Sequence, residues 1–158
     1  YHKILPKLGK KVSPIEVVIA GQKAKEKLKL KENNTIHIID IDTDDVNLVK
    51  KIYGESTIFI APIFGPGGTR LKILAAMATG LPVISTKTGV AGLLVKDGYH
   101  VLLAEDEDGF VEKIDLLLTN PALYEKLRTN AYKLVNEIYN WKKISHKLEI
   151  AYAKIKEL

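Results

Sequence analysis

Residues 65–86 read Gly-Pro-Gly-Gly-Thr-Arg-Leu-Lys-Ile-Leu-Ala-Ala-Met-Ala-Thr-Gly-Leu-Pro-Val-Ile-Ser-Thr, and this stretch restricts the possible folds more than any other. An apolar run at 57–61 leads into the glycine turn, a helix is expected over 70–79, and Gly80-Leu81-Pro82 ends it before a second apolar run at 83–85. Short, continuous apolar strands alternating with helices belong to parallel sheets covered on both faces, so the unit points to an α/β fold.

The alternation recurs along the chain. Residues 15–20 form an apolar run ending at Gly21, as a buried strand does. A short helix is expected over 24–31, a strand over 35–39, and a helix through Val46, Val49, Ile52 and Tyr53 that the Asp42-Thr43-Asp44-Asp45 turn can cap. Residues 101–104 add a strand. Beyond them Phe110, Val111, Ile114, Leu117 and Leu118 form one apolar helical stripe, and Leu123, Leu127, Ala131, Leu134, Val135 and Ile138 form a second. Asn120-Pro121 separates these two, and Ile144, Leu148, Ala151 and Ile155 make a third stripe. The expected class is α/β: a Rossmann-like parallel sheet with helices on both faces and a C-terminal helical tail.

The glycine turn also carries chemistry. The first amides of a helix have no partner inside it, and the aligned peptide dipoles make that end partly positive, so an anion is favoured there. Glycines allow the backbone to approach a ligand closely. Arg70 and Lys72 can add charge-assisted donors to a diphosphate. A helix capped by Thr69 and flanked by two solvated cations is the plainer alternative.

At 158 residues, with 46% hydrophobic and 27% charged side chains, the chain suits one compact domain. No run approaches the apolar length of a membrane span. Without cysteine there are no disulfides and no thiolate metal sites. The formal net charge of +5 permits attraction to nucleic acid, anionic lipid or phosphorylated ligands, yet lysines such as Lys23, Lys25, Lys27, Lys29 and Lys31 read as solvated helix faces. His2, His37, His100 and His146 are scattered, and the Asp40, Asp42, Asp44, Asp45 cluster lacks the glycine and closing glutamate of a calcium loop, so no metal is implied.

The register Phe59-Ile60-Ala61-Pro62, Gly65 to Lys72, Ala76-Met77-Ala78-Thr79-Gly80-Leu81-Pro82-Val83-Ile84-Ser85-Thr86 and Gly89 resembles the nucleotide-sugar-binding half of GT-B glycosyltransferases of family 4, the group 1 class. Gly68-Thr69-Arg70-Leu71-Lys72 matches one subtype letter for letter, Lys96 to Ala104 is similar to the strand that follows, and Tyr139-Asn140-Trp141 resembles the start of the family's last helix. The resemblance implies a C-terminal GT-B domain that binds a nucleotide-sugar donor and serves transfer of a sugar, with retention, to an acceptor held by a separate N-terminal domain. It implies donor contacts at Gly65, Gly67, Gly68, Thr69, Arg70 and Lys72, and places Ala75 at the position next to the ribose. It further implies a leaving group stabilised without bound metal or cofactor, no nucleic-acid partner, and a cytoplasmic location with a possible seat at the inner face of the membrane.

Two departures matter. The class commonly carries glutamates eight positions apart, and here those positions hold Gly67 and Ala75. Ala75 removes the carboxylate expected to accept from the ribose hydroxyls, so weak donor binding is expected; a close-packed helical spot favouring alanine is the plainer account. The opening residues resemble the end of the family's first helix, so the chain is expected to be incomplete at its N-terminus, lacking its first strand and the acceptor domain. No catalytic residue is assigned to it, and turnover by the isolated chain is not expected. In this resemblance the last helix crosses toward the other domain. A non-catalytic interaction module with a degenerate version of the fold, and a small flavodoxin-like phosphate binder, are the alternatives.

Overall fold

The computed structural model describes residues 3–11, 14–28, 32–42, 44–65 and 70–156. Its elements run α1 (Leu5–Lys11), β1 (Val17–Gly21), α2 (Ala24–Leu28), β2 (Ile36–Asp40), α3 (Val46–Glu55), β3 (Phe59–Ala61), α4 (Leu71–Ala78), β4 (Val83–Ser85), β5 (Leu102–Leu103), α5 (Glu107–Thr119), α6 (Pro121–Ile138) and α7 (Trp141–Lys156). Every strand pair is parallel.

Side chains alternate across a strand, and that period sorts the core into two layers. Val83 of β4 packs with Ile73, Ala76 and Met77 of α4 and Ala131, Leu134 and Val135 of α6. Its neighbour Ile84 points the other way, into a cluster with Ile4 and Leu8 from the α1 side and Phe110, Val111, Ile114 and Leu117 of α5. Helices therefore cover both faces of the β3–β4–β5 sheet, as the apolar runs required. Local caps fix the helix starts: Asp45 accepts from the Leu48 amide at 2.9 Å, Asp106 from Gly109 at 2.8 Å and Asn120 from Leu123 at 3.0 Å.

Three expectations need correction. The strands form two ladders, β1–β2 and β3–β4–β5, where one sheet was expected. The 15–20 run is not a buried strand, because β1 is mostly half-buried and Val18 is 43% exposed. Leu118, Ile138, Ile144, Leu148 and Ile155 are all exposed although they lie on apolar stripes, so the third helical stripe does not finish this core.

The strand edges explain the first two corrections. On the outer edge of β2 the Ile38 amide donates to Glu32 Oε1 at 2.9 Å and the Ile36 amide to Asn33 Oδ1 at 2.9 Å. On the outer edge of β5 the Leu103 amide donates to Asp97 Oδ1 at 2.9 Å, and the Val101 carbonyl accepts from Gly98 at 2.9 Å. The remaining edges are different. In the parallel registers Val18 and Ala20 of β1 and Ile60 of β3 turn their backbone groups away from the paired strand, and no described residue bonds their amides. Ile15, just before β1, and Ile58 and Ile60 pack against the same apolar cluster.

Candidate functional site

The C-terminal ends of parallel strands and the starts of the following helices converge on one rim, the usual ligand side of such sheets. The β3 strand leaves its ladder at Ala61 and runs through Pro62, Ile63 and an exposed Phe64 to an exposed Gly65. Gly67, Gly68 and Thr69 lie outside the described residues. The chain is described again from Arg70, the N-cap of α4, so the helix begins at Leu71, one residue later than expected, and Arg70 makes no side-chain cap bond.

No acid occupies the first turn of α4, and the Ile73 and Leu74 amides both donate to the Arg70 carbonyl. No described residue accepts from the Leu71 and Lys72 amides, the two that stand ahead of them. The Arg70 guanidinium is held from one side, its Nη2 donating to the Thr88 carbonyl at 3.1 Å. Its Nε is buried and has no hydrogen-bond partner among the described residues. Neither Arg70 nor Lys72 pairs with a carboxylate among those residues.

Lys72 and Ala75 occupy the exposed side of α4, opposite buried Ile73, Ala76 and Met77. The close-packed account of Ala75 is thereby overturned, since a larger side chain there would project into solvent. Tyr53 braces this turn from α3: its hydroxyl donates to the Lys72 carbonyl at 3.2 Å, and burial pushes its pKa up, which keeps that proton in place. Arg70, Lys72 and Ala75 are therefore gathered at one helix start, with Gly65 at the other end of the turn.

Thr86 to Gly89, which the sequence offers as part of a cleft rim or as a plain turn, begins with one of two hydroxyls that lie beneath this rim. Ser85 and Thr86 are buried and bond the carbonyls of Ala61 and Ile63. A polar pair closing an apolar strand, followed by Gly89, was the signal available for them. Of the acidic cluster, Asp40 ends β2 and accepts from the Lys25 amide at 3.0 Å, and Asp45 caps α3. Among the described residues no group of three His, Cys, Asp or Glu side chains is placed to hold a metal ion, and no helix is long and apolar enough to cross a membrane.

The family model described as Glycosyl transferases group 1 matches residues 1–120. An uncharacterized 44.6 kDa protein in the cps region of Klebsiella pneumoniae is 28% identical over 150 residues, covering 90% of this chain and 38% of that protein. The chain thus spans well under half the length of this relative. The crystallised C-terminal domain of the Francisella tularensis group 1 glycosyl transferase LpcC superposes with a TM-score of 0.73 at 24% identity, over 88% of this chain and 77% of that one. Anabaena HepE, solved in complex with UDP-glucose, superposes with a TM-score of 0.79 at 15% identity, over 97% of this chain and 44% of that one. At such identities the structural likenesses establish the α/β fold.

Proposed function

Because the chain belongs to the group 1 glycosyltransferases, we propose that its glycine turn and the start of α4 hold the diphosphate of a nucleotide-sugar donor, within a longer protein that transfers the sugar to an acceptor hydroxyl. Arg70 carries this reading. A buried donor without a partner costs about 1–3 kcal/mol, and an anion against the α4 start removes that cost while meeting the Leu71 and Lys72 amides, which no described residue bonds. Gly65, Gly67, Gly68 and Thr69 would let the backbone close on the same phosphates, and exposed Lys72 would add a mobile charge.

In the transfer, the acceptor oxygen bonds to the anomeric carbon as that carbon's bond to the diphosphate oxygen breaks. Negative charge gathers on the departing diphosphate, whose oxygen takes the proton that the acceptor hydroxyl loses. Donors already fixed where this charge develops lower the barrier without reorganising during the step. In this reading another part of the protein holds the acceptor close to the anomeric carbon, since the rate depends on proximity there. A hexosyl donor, retention at that carbon and work at the cytoplasmic side of a membrane complete the reading.

Two observations support the further domain and strand. The edges at Val18, Ala20 and Ile60, which no described residue bonds, fit a parallel strand contributed by a segment outside this chain, since the outer edges of both ladders are capped. The exposed Trp141, Ile144, Leu148, Tyr152 and Ile155 of α7 fit an apolar seat against a second domain. One observation favours a second reading, a non-catalytic module: exposed Ala75 has no group that could accept from a ribose.

Calorimetric titration of the full-length protein with UDP and ADP tests both. Arg70→Ala should weaken binding at least about tenfold, and Ala75→Glu should tighten it about tenfold, because a hydrogen bond to a charged group contributes about 1.5–3 kcal/mol and 1.4 kcal/mol is tenfold. Equal affinity in both variants refutes the site. No binding by the unaltered protein favours the non-catalytic module.

A further inference from the structure

The connection from β3 to α4 is tied at both ends to a single turn, residues 86–89. At the β3 end, the Ala61 carbonyl accepts from Ser85 Oγ at 2.9 Å and from the Ile63 amide at 2.9 Å, which swings the chain off the ladder. Two residues on, the Ile63 carbonyl accepts from Thr86 Oγ1. That same Oγ1 accepts from the Gly89 amide at 2.9 Å and so sets the turn. At the α4 end, the carbonyl of Thr88, in the middle of the turn, holds Arg70 Nη2 at 3.1 Å.

The turn has little room to adjust. Ser85 is 0% and Thr86 2% exposed, and a Cβ placed on Gly89 would lie 2.2 Å from Ser85 Oγ and 3.1 Å from Thr86 Oγ1. One hydroxyl, that of Thr86, joins the path leading into the glycine turn to the carbonyl that orients Arg70. A buried hydroxyl serving as donor and acceptor at once has its position fixed by both partners.

We propose that Thr86 is a positioning residue for donor binding: anchored on the Ile63 carbonyl, it sets the 86–89 turn and with it the Thr88 carbonyl that orients the Arg70 guanidinium. The proposal rests on the donor-site reading above. Thr86 touches no ligand in this scheme; it acts through Ile63 at one end and through Thr88 and Arg70 at the other. Preorganised donors lose affinity when their supports loosen, even where the donors themselves are unchanged.

The test compares Thr86→Val, which keeps the shape and removes the hydroxyl, with Thr86→Ser, which keeps the hydroxyl. UDP affinity of the full-length protein is measured by calorimetry at a temperature where each variant is folded by circular dichroism, alongside amide exchange at Gly89 and Ile63. Thr86→Val should weaken UDP about tenfold and speed exchange at the Gly89 and Ile63 amides, and Thr86→Ser should restore both affinity and protection. In the Arg70→Ala background, Thr86→Val should weaken UDP much less, because its effect passes through Arg70. Full affinity in Thr86→Val, or an equal loss with and without Arg70, overturns the proposal while leaving the donor site standing. Failure of the unaltered protein to bind UDP or ADP removes the donor site, and the positioning role falls with it. If Thr86→Val does not fold, Gly89→Ala perturbs the same turn from the other side and must weaken UDP in an Arg70-dependent way.

Discussion

Replacing Gly89 by alanine should destabilise the sheet through one identifiable clash. The new Cβ would sit 2.2 Å from Ser85 Oγ, well inside contact distance, while Ser85 is fully buried and bonded to the Ala61 carbonyl. If Ser85 rotates away, a hydroxyl and a carbonyl lose their bond inside the core, at about 1–3 kcal/mol. If the turn moves instead, the bonds from the Gly89 amide to Thr86 Oγ1 at 2.9 Å and from the Val90 amide to the Thr86 carbonyl at 3.2 Å are lost, at about 0.5–1.5 kcal/mol each. Alanine restricts the unfolded chain more than glycine and returns about 0.4–1 kcal/mol. The expected net loss is about 1–2 kcal/mol.

Native-state hydrogen exchange at the buried Ile84 amide reads this as faster opening by about five- to thirtyfold, where 1.4 kcal/mol is tenfold. In a Ser85→Ala background the atom that clashes is gone, so the same substitution should cost much less, giving a coupling of about 1 kcal/mol. Equal costs in the two backgrounds would show that the loss comes from somewhere other than the Ser85 contact.

Two more outcomes follow from the core and from the capped edge. Phe110→Ala empties a fully buried position on the α5 side of the sheet and should cost about 3–5 kcal/mol, measured as loss of protection across α5 and β4; a cost under about 1 kcal/mol would mean that cluster is not close-packed. Glu32 has its pKa lowered, first by the hydrogen bond from the Ile38 amide and then by Lys25, so its contribution is present above the ordinary carboxylate value of 4.5 and is lost as pH falls through the lowered one. Protection of the Ile38 amide should therefore drop in acid, and Glu32→Gln should flatten that dependence; an acid response that survives in the variant refutes the assignment.

Where a signal is local, the sequence read well. Asp45 caps α3 as its acidic turn suggested, Pro121 opens α6, and the runs at 57–61 and 83–85 contain β3 and β4. A cap needs only the next three amides, and a strand only its own alternation. The helix start at the candidate site was legible in the same degree. Arg70 and Lys72 do stand at a helix start, because glycine turn and helix are neighbours in the chain. The bond from Arg70 to Thr88, eighteen residues away, was beyond any spacing rule, as was the exposure of Ala75.

The order of residues alone determined which segments are strands and helices and that the strands run parallel, since those properties follow from nearest-neighbour backbone preferences and the period of apolar side chains. Only the tertiary structure decided which strand edges are capped, which apolar stripes stay exposed and which hydroxyls hold the rim. Those outcomes depend on what lies across the fold. Exposure at Leu118 or Leu148, a partner for Thr86 and an edge at Val18 that no described residue bonds are each set by distant atoms that leave no periodic trace in the chain.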